Sequence, residues 1–190
     1  RYLVPAADGC LHLDFASGLE PGQPTEEALV QAIEVLPEDR AVVRIDCGAE
    51  APYVDWNSRQ WSADATAGGS LRSDAPVAQA SPTLHDQRLY QTARCGVDLR
   101  YSLPVAPGLY TVHLKFAELW LPEAGARPLD IEVNGRRVRE SWDPATAAGQ
   151  VGMAADLRIA DVVPDSGGCI SIRIVAAGGN DAIVQAIEVL

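Results

Sequence analysis

Leu129-Asp130-Ile131-Glu132-Val133-Asn134-Gly135-Arg136-Arg137-Val138-Arg139 is the stretch that decides the fold. Apolar and charged residues alternate from Leu129 to Val133, the period of a strand with one buried face. Asn134-Gly135 follows at once, and both residues tolerate the positive φ that a two-residue hairpin turn demands. Residues 136–139 are then the returning strand. The same pattern recurs on either side. Residues 42–47 are short, rich in Val and Ile, and stop at Gly48. Residues 98–103 alternate, Pro107-Gly108 marks a turn, and residues 109–116 alternate again. Residues 169–175 and 183–189 read as the last two strands. Helical periodicity is scarce: residues 145–155 are Ala-rich and suit a helical turn, although Gly149 and Gly152 weaken it. Residues 62–86 carry Ser, Ala, Gly, Pro and Asp without a period and read as a long loop region, a place where function concentrates. Short strands separated by turn residues predict an all-β fold, an antiparallel β-sandwich.

Composition narrows the partners. At 190 residues, with 47% hydrophobic and 22% charged, the chain can bury a core and is not of the disordered class. No apolar run approaches the roughly 20 residues that span a bilayer, so membrane insertion is not expected. The formal charge of −11 repels phosphate backbones and excludes nucleic acid as the expected partner. Neutral sugars are compatible with it. Cys10, Cys47, Cys95 and Cys169 lie far apart with no CxxC pair, which argues against zinc. Cys47 and Cys95 are open to two readings, a disulfide or buried free thiols. No loop carries a calcium-binding pattern, and no cofactor is expected.

The two ends of the chain repeat each other. Val30-Gln31-Ala32-Ile33-Glu34-Val35-Leu36 recurs unchanged as Val184-Gln185-Ala186-Ile187-Glu188-Val189-Leu190. Gly9-Cys10-Leu11-His12-Leu13-Asp14-Phe15 likewise parallels Gly168-Cys169-Ile170-Ser171-Ile172-Arg173-Ile174. Residues 1–37 therefore read as the last strands of a preceding repeat plus a linker, and residues 38–190 as a complete domain. The start at Arg1, inside what reads as folded sequence, fits an excised piece of something larger. Strands 11–15 and 28–36 would lack their own sheet, and unpaired edges seek partners, so a homodimer through these strands is expected.

Several local patterns together resemble the malectin family. They are Val43-Arg44-Ile45-Asp46-Cys47-Gly48 with Tyr53-Val54-Asp55 and Trp61-Ser62-Ala63-Asp64; Leu89-Tyr90-Gln91-Thr92-Ala93-Arg94; Tyr101-Ser102-Leu103-Pro104 leading to Gly108-Leu109-Tyr110-Thr111-Val112; Leu114-Lys115-Phe116-Ala117-Glu118; Arg127-Pro128-Leu129-Asp130-Ile131-Glu132-Val133-Asn134-Gly135; and the closing Gln185-Ala186-Ile187-Glu188-Val189. Their order across residues 41–190 carries the resemblance. It implies a jelly-roll-like, galactose-binding-like sandwich that binds glucose-type or other oligosaccharides through loops at one end, in a secreted, periplasmic or surface protein. Carried over by motif, the binding aromatics fall on Trp61, Trp120 and Leu121, and the acidic residue on Asn180 or Asp181. Leu121 departs from the aromatic of the family pattern, and residues 65–86 contain no Tyr, Phe or Trp.

The residues support that assignment on chemical grounds. A pyranose has an apolar face and a rim of hydroxyls, so it needs an aromatic platform and polar groups aimed at the rim. A carboxylate accepts two hydroxyls with charge-assisted bonds. Trp120 and Asp181 lie just beyond strand ends, where loops can present them. Trp142 reads as a core cap, and Trp56 is open to either role. Glu118 is expected to bond a loop backbone or Arg94, and Asp130 to pair with Arg127 or serve a turn. His12, His85 and His113 are scattered and read as structural. No GxSxG, HExxH, P-loop or GxGxxG signature is present, and no motif singles out a carboxylate pair. The expected function is non-catalytic carbohydrate binding, by a module that can accompany a polysaccharide-active enzyme. The alternative is a structural or protein-interaction module with the same fold.

Overall fold

The computed structural model describes residues 42–55, 57–65, 70–72 and 87–190. The chain divides into two units, residues 1–40 and 41–190, and the described residues all belong to the second. The expected strands at 11–15 and 28–36, the dimer contact assigned to them, and Trp56 lie outside the described residues.

The described chain is an all-β sandwich. Its strands are β1 (Val43–Asp46), β2 (Tyr53–Val54), β3 (Gln60–Ala63), β4 (Ser70–Arg72), β5 (Ala93–Gly96), β6 (Asp98–Pro104), β7 (Tyr110–Ala117), β8 (Leu129–Val133), β9 (Arg136–Trp142), β10 (Ala154–Val162), β11 (Cys169–Ala176), β12 (Ala182–Val184) and β13 (Ala186–Val189). A six-stranded sheet runs β10-β7-β13-β1-β3-β2, a four-stranded sheet β6-β11-β8-β9, and a small third sheet β12-β5-β4. Pairing is antiparallel except between β1 and β3.

Alternation in the sequence becomes the two faces of each strand. In β6, Leu99, Tyr101 and Leu103 are buried while the residues between them are exposed. In β11, Ile170, Ile172 and Ile174 turn inward. These meet Val112, Leu114 and Phe116 of β7 and Ile187 and Val189 of β13 in one core between the large sheets. Burying each such side chain contributes about 1.5–3 kcal/mol. The expected β8–β9 hairpin forms, with Asn134 at φ 49° and Gly135 at φ 72°. Trp142, at the end of β9, packs on this core with its ring centroid 4.9 Å from Phe116.

Three expectations change. Residues 183–189 do not form one strand: β12 belongs to the third sheet and β13 to the six-stranded sheet. The corner is Gln185, fully buried, whose Nε2 donates to the Ala117 carbonyl at 2.5 Å. Its N–H donates to Lys115 O and its carbonyl accepts from Cys47 N–H. Three bonds, two to β7 and one to the residue that follows β1, turn the chain from one sheet into the other. Residues 62–86 are not all loop, because β3 reaches Ala63 and β4 lies within the span. The helical turn is confined to α1 (Pro144–Ala148), which Asp143 caps by accepting from Thr146 N–H. Gly149 ends it at φ 89°, a turn follows, and β10 takes the last two residues of the Ala-rich stretch, Ala154 and Ala155. Cys47 and Cys95 are buried thiols that form no disulfide with each other. Burial pushes the Cys47 thiol well above its usual range, so it remains protonated.

Gly48 and Gly135 both adopt positive φ, yet a side chain would cost them very different amounts. A Cβ on Gly48 would sit 2.5 Å from the Ala93 carbonyl, whereas one on Gly135 would meet nothing within 4 Å. Gly48→Ala should therefore lower stability by about 3 kcal/mol and Gly135→Ala by about 1 kcal/mol in urea unfolding. Equal losses would show that the approach of Gly48 to β5 is not as close as described.

His113 on β7 supplies a pH dependence. Its Nδ1 is 3.7 Å from Glu188, and its buried Nε2 meets no hydrogen-bond partner among the described residues. Burial, with the nearby Arg158 charge, holds its pKa below the ordinary 6.5. Below pH 6.5 the unfolded chain takes up a proton that the folded chain refuses, so stability falls as pH drops toward the folded pKa. Thermal unfolding from pH 7.5 to 5.5 should show a declining midpoint, and His113→Gln should flatten that slope.

Candidate functional site

The site is built where β7 ends. Glu118 follows the last residue of this strand and is buried, at 1% exposed. Its Oε1 accepts the backbone N–H groups of Trp120 and Leu121, each at 2.9 Å. The carboxylate thereby folds the start of the 118–128 loop onto itself and fixes the backbone that carries Trp120. Glu118 Oε2 accepts from Arg127 Nε at 2.5 Å, and the two side chains are 1% and 3% exposed. Glu118 was expected to bond a loop backbone or Arg94; the backbone bonds form, and the arginine is Arg127. Arg127 is therefore not the partner of Asp130. Asp130 instead accepts from Ser141 N–H at 2.9 Å and faces Arg137 at 3.5 Å.

Arg127 reaches a second loop as well. Its Nη1 donates to the carbonyl of Asp181, in the loop between β11 and β12. Asn180 Nδ2 returns a bond to the Ala126 carbonyl at 2.8 Å, and Ala177 N–H donates to Pro128 O at 2.9 Å. Gly178 rests against Pro128 so closely that a Cβ would lie 2.9 Å from the ring. The far side of the 118–128 loop is held by Asp143, whose carboxylate accepts from Gly125, Arg127 and Thr146 N–H groups at 2.9, 2.9 and 2.7 Å. Burial alone would raise the Asp143 pKa. The three N–H donors outweigh it and hold the carboxyl below its usual range.

These ties bring Trp120, Leu121, Asn180 and Asp181 to one end of the sandwich, on two loops sutured together. Trp120 is half-buried and packs against Ala93, Cys95 and Ile183 of the third sheet. Asp181 is half-buried, and its carboxylate engages no hydrogen bond or ion pair among the described residues. Asn180 is exposed, but its amide nitrogen is already committed to Ala126. Leu121 is half-buried and contributes its N–H to the Glu118 turn.

Trp61 is a correction. It lies on β3, is 1% exposed, and packs among Leu89, Tyr90, Ala117, Ala154 and Ala186. Its Nε1 donates to Asp55 Oδ2 at 3.2 Å, so even its polar edge is occupied internally. A ring so enclosed offers no face to a ligand. The polar residues around it in sequence mislead, because Asp55 and Arg59 pair with each other at 2.8 Å and cover the ring's polar edge.

Beyond Trp61, the other end of β3 carries a second buried polar cluster. Asp64 Oδ2 accepts from Arg94 Nε at 2.5 Å, Tyr101 OH at 3.2 Å and Gly48 N–H at 3.3 Å. The residues missed in the sequence are Arg127 and Asp143. Arg127 stood in a quoted motif, but its partners are nine and 54 positions away in the chain, and no local spacing marks them. Among the described residues no group of His, Cys, Asp or Glu could hold a metal ion, and no helix is long and apolar enough to cross a membrane.

Comparison with known proteins matches this architecture. The Malectin domain family model covers residues 41–188. Malectin-B of Xenopus laevis is 30% identical over 112 residues, which are 55% of this chain and 40% of Malectin-B, so the match spans less than half of that relative. The ANX2 ectodomain of Arabidopsis thaliana superposes with a TM-score of 0.68 at 19% identity, over 78% of this chain and 49% of that one. A Bacteroides uniformis β-glucuronidase gives 0.62 at 21% identity, over 77% of this chain and 18% of the enzyme. At such identities these two structures speak for the fold alone. With the family match spanning all but the last two residues of the described sandwich, this chain belongs to the malectin family.

Proposed function

We propose that the domain binds a carbohydrate at the end of the sandwich where residues 118–128 meet residues 177–181. The observation that carries this reading is the Asp181 carboxylate, left without a partner among the described residues on a loop sutured to the one that holds Trp120. Its oxygens are not among the buried unpartnered atoms, so they are open to a donor from outside, and sugar hydroxyls suit a carboxylate acceptor. Trp120 supplies the stacking surface, and its packing on Ala93, Cys95 and Ile183 limits the entropy lost on binding. Malectin domains are non-catalytic binding modules, which supports binding in place of turnover. The ligand class is an oligosaccharide, glucose-type or other. The setting is a secreted or surface protein, in which the domain can accompany a polysaccharide-active enzyme.

One observation favours a second reading. With Trp61 enclosed and Leu121 aliphatic, a single aromatic remains of the three positions assigned to stacking. A protein-interaction module would tolerate that loss.

A glycan array on the purified chain, followed by calorimetry on the best binder, separates the two. Trp120→Ala should weaken binding by about 0.5–1.5 kcal/mol beyond lost burial, roughly two- to thirteen-fold in Kd. Asp181→Asn should weaken it by about tenfold, because a neutral amide replaces a charged acceptor. An array without a single specific glycan, or a binder indifferent to both substitutions, would overturn the sugar site.

A further inference from the structure

We infer that Arg127 is the positioning residue of this site: it holds the Trp120 loop and the Asp181 loop as one rigid body. The inference rests on the proposed sugar site for its functional consequence, but its structural core stands without a ligand.

Among the described residues, this guanidinium is the side chain that bonds both loops through their deepest anchors. Toward the first loop, Nε and Nη2 donate to the two oxygens of Glu118, at 2.5 and 3.4 Å. Glu118 in turn fixes the N–H groups of Trp120 and Leu121. Toward the second loop, Nη1 donates to the Asp181 carbonyl. The planar fork is what makes this reach simultaneous, and a lysine ammonium, a single point charge, cannot span both partners in the same way. Arg127 is itself fixed, because its backbone N–H is held by Asp143. The spacing between the stacking ring and the free carboxylate is therefore set by one buried cation. A pyranose engaging both groups samples that spacing directly, and a small error in such a geometry weakens binding well beyond the loss of one contact.

A backbone bond, Ala177 N–H to Pro128 O at 2.9 Å, joins the loops only at their roots, where one leaves β11 and the other enters β8, and the remaining ties are peripheral. The Asn180 amide is exposed and bonds a single carbonyl, and Gly178 contributes only contact with Pro128. They keep the loops near each other, whereas Arg127 sets their register.

The test uses the chain as it is, with Arg127→Lys, Trp120→Ala, the double variant, and Ile172→Val as a core control far from the loops. Amide hydrogen exchange is read first, without ligand. Arg127→Lys should raise exchange in residues 118–128 and 177–181 together, with β6, β8 and β11 unchanged. Ile172→Val should leave both loops as they were. Glycan affinity is read second. Arg127→Lys should lose at least tenfold, and the double variant should bind within about twofold of the weaker single, because the spacing that Arg127 sets between ring and carboxylate counts only while the ring is there to be engaged. Should Arg127→Lys not fold, Glu118→Gln, nearly isosteric, takes its place with the same expectations. Unchanged exchange at 177–181, or losses that multiply in the double variant, would overturn the inference. If no glycan binds the unaltered chain, the sugar site fails, and the exchange experiment alone still decides the clamp.

Discussion

Everything in this domain hangs on burying the inner faces of the two large sheets against each other. Leu99, Tyr101 and Leu103 from one sheet and Val112, Leu114 and Phe116 from the other are almost inaccessible to water. That burial is non-directional, and it fixes the layers without fixing the loops. It does fix where strands end. β7 must stop once its apolar alternation runs out at Ala117, and Glu118 falls at that point. The site begins where the hydrophobic constraint ends.

From there buried charge takes over. Glu118 with Arg127, and Asp64 with Arg94 and Tyr101, are polar clusters at the margins of the sandwich, each enclosed and each satisfied by further bonds to backbone or side chain. Such clusters are weak sources of net stability, because desolvation offsets the attraction. Their directional bonds define geometry, which an apolar contact does not. In this domain they define the geometry of loops, whose backbone has no ladder to hold it.

The fold was largely legible from residue order. Period-two alternation marks β6, β7, β8 and β11 because each has one wet face, and the Asn134-Gly135 hairpin follows from φ alone. β2, β3, β4 and β5, two to four residues each, are too short for a period to show, and in β10 the alternation itself fails. β10 exposes two consecutive residues, Ala160 and Asp161, the latter at positive φ, where a bulge breaks the register with β7. β13 is buried on all four residues, since other elements cover its outer face, so nothing in its sequence distinguishes it from β12.

Of the candidate site, the sequence by itself determined which residue types stand at loop positions: a tryptophan after Glu118 and an Asn-Asp pair before the last strands. It also determined the sandwich, because alternation and turn chemistry are local properties. Tertiary structure alone decided that Trp61 is enclosed while Trp120 is half-exposed, since burial depends on what covers a ring and not on its neighbours in the chain. It alone decided that Arg127 joins Glu118 to the Asp181 loop. A guanidinium chooses partners by distance in space, and the 54-residue separation of Arg127 and Asp181 is closed only when the sheets fold together.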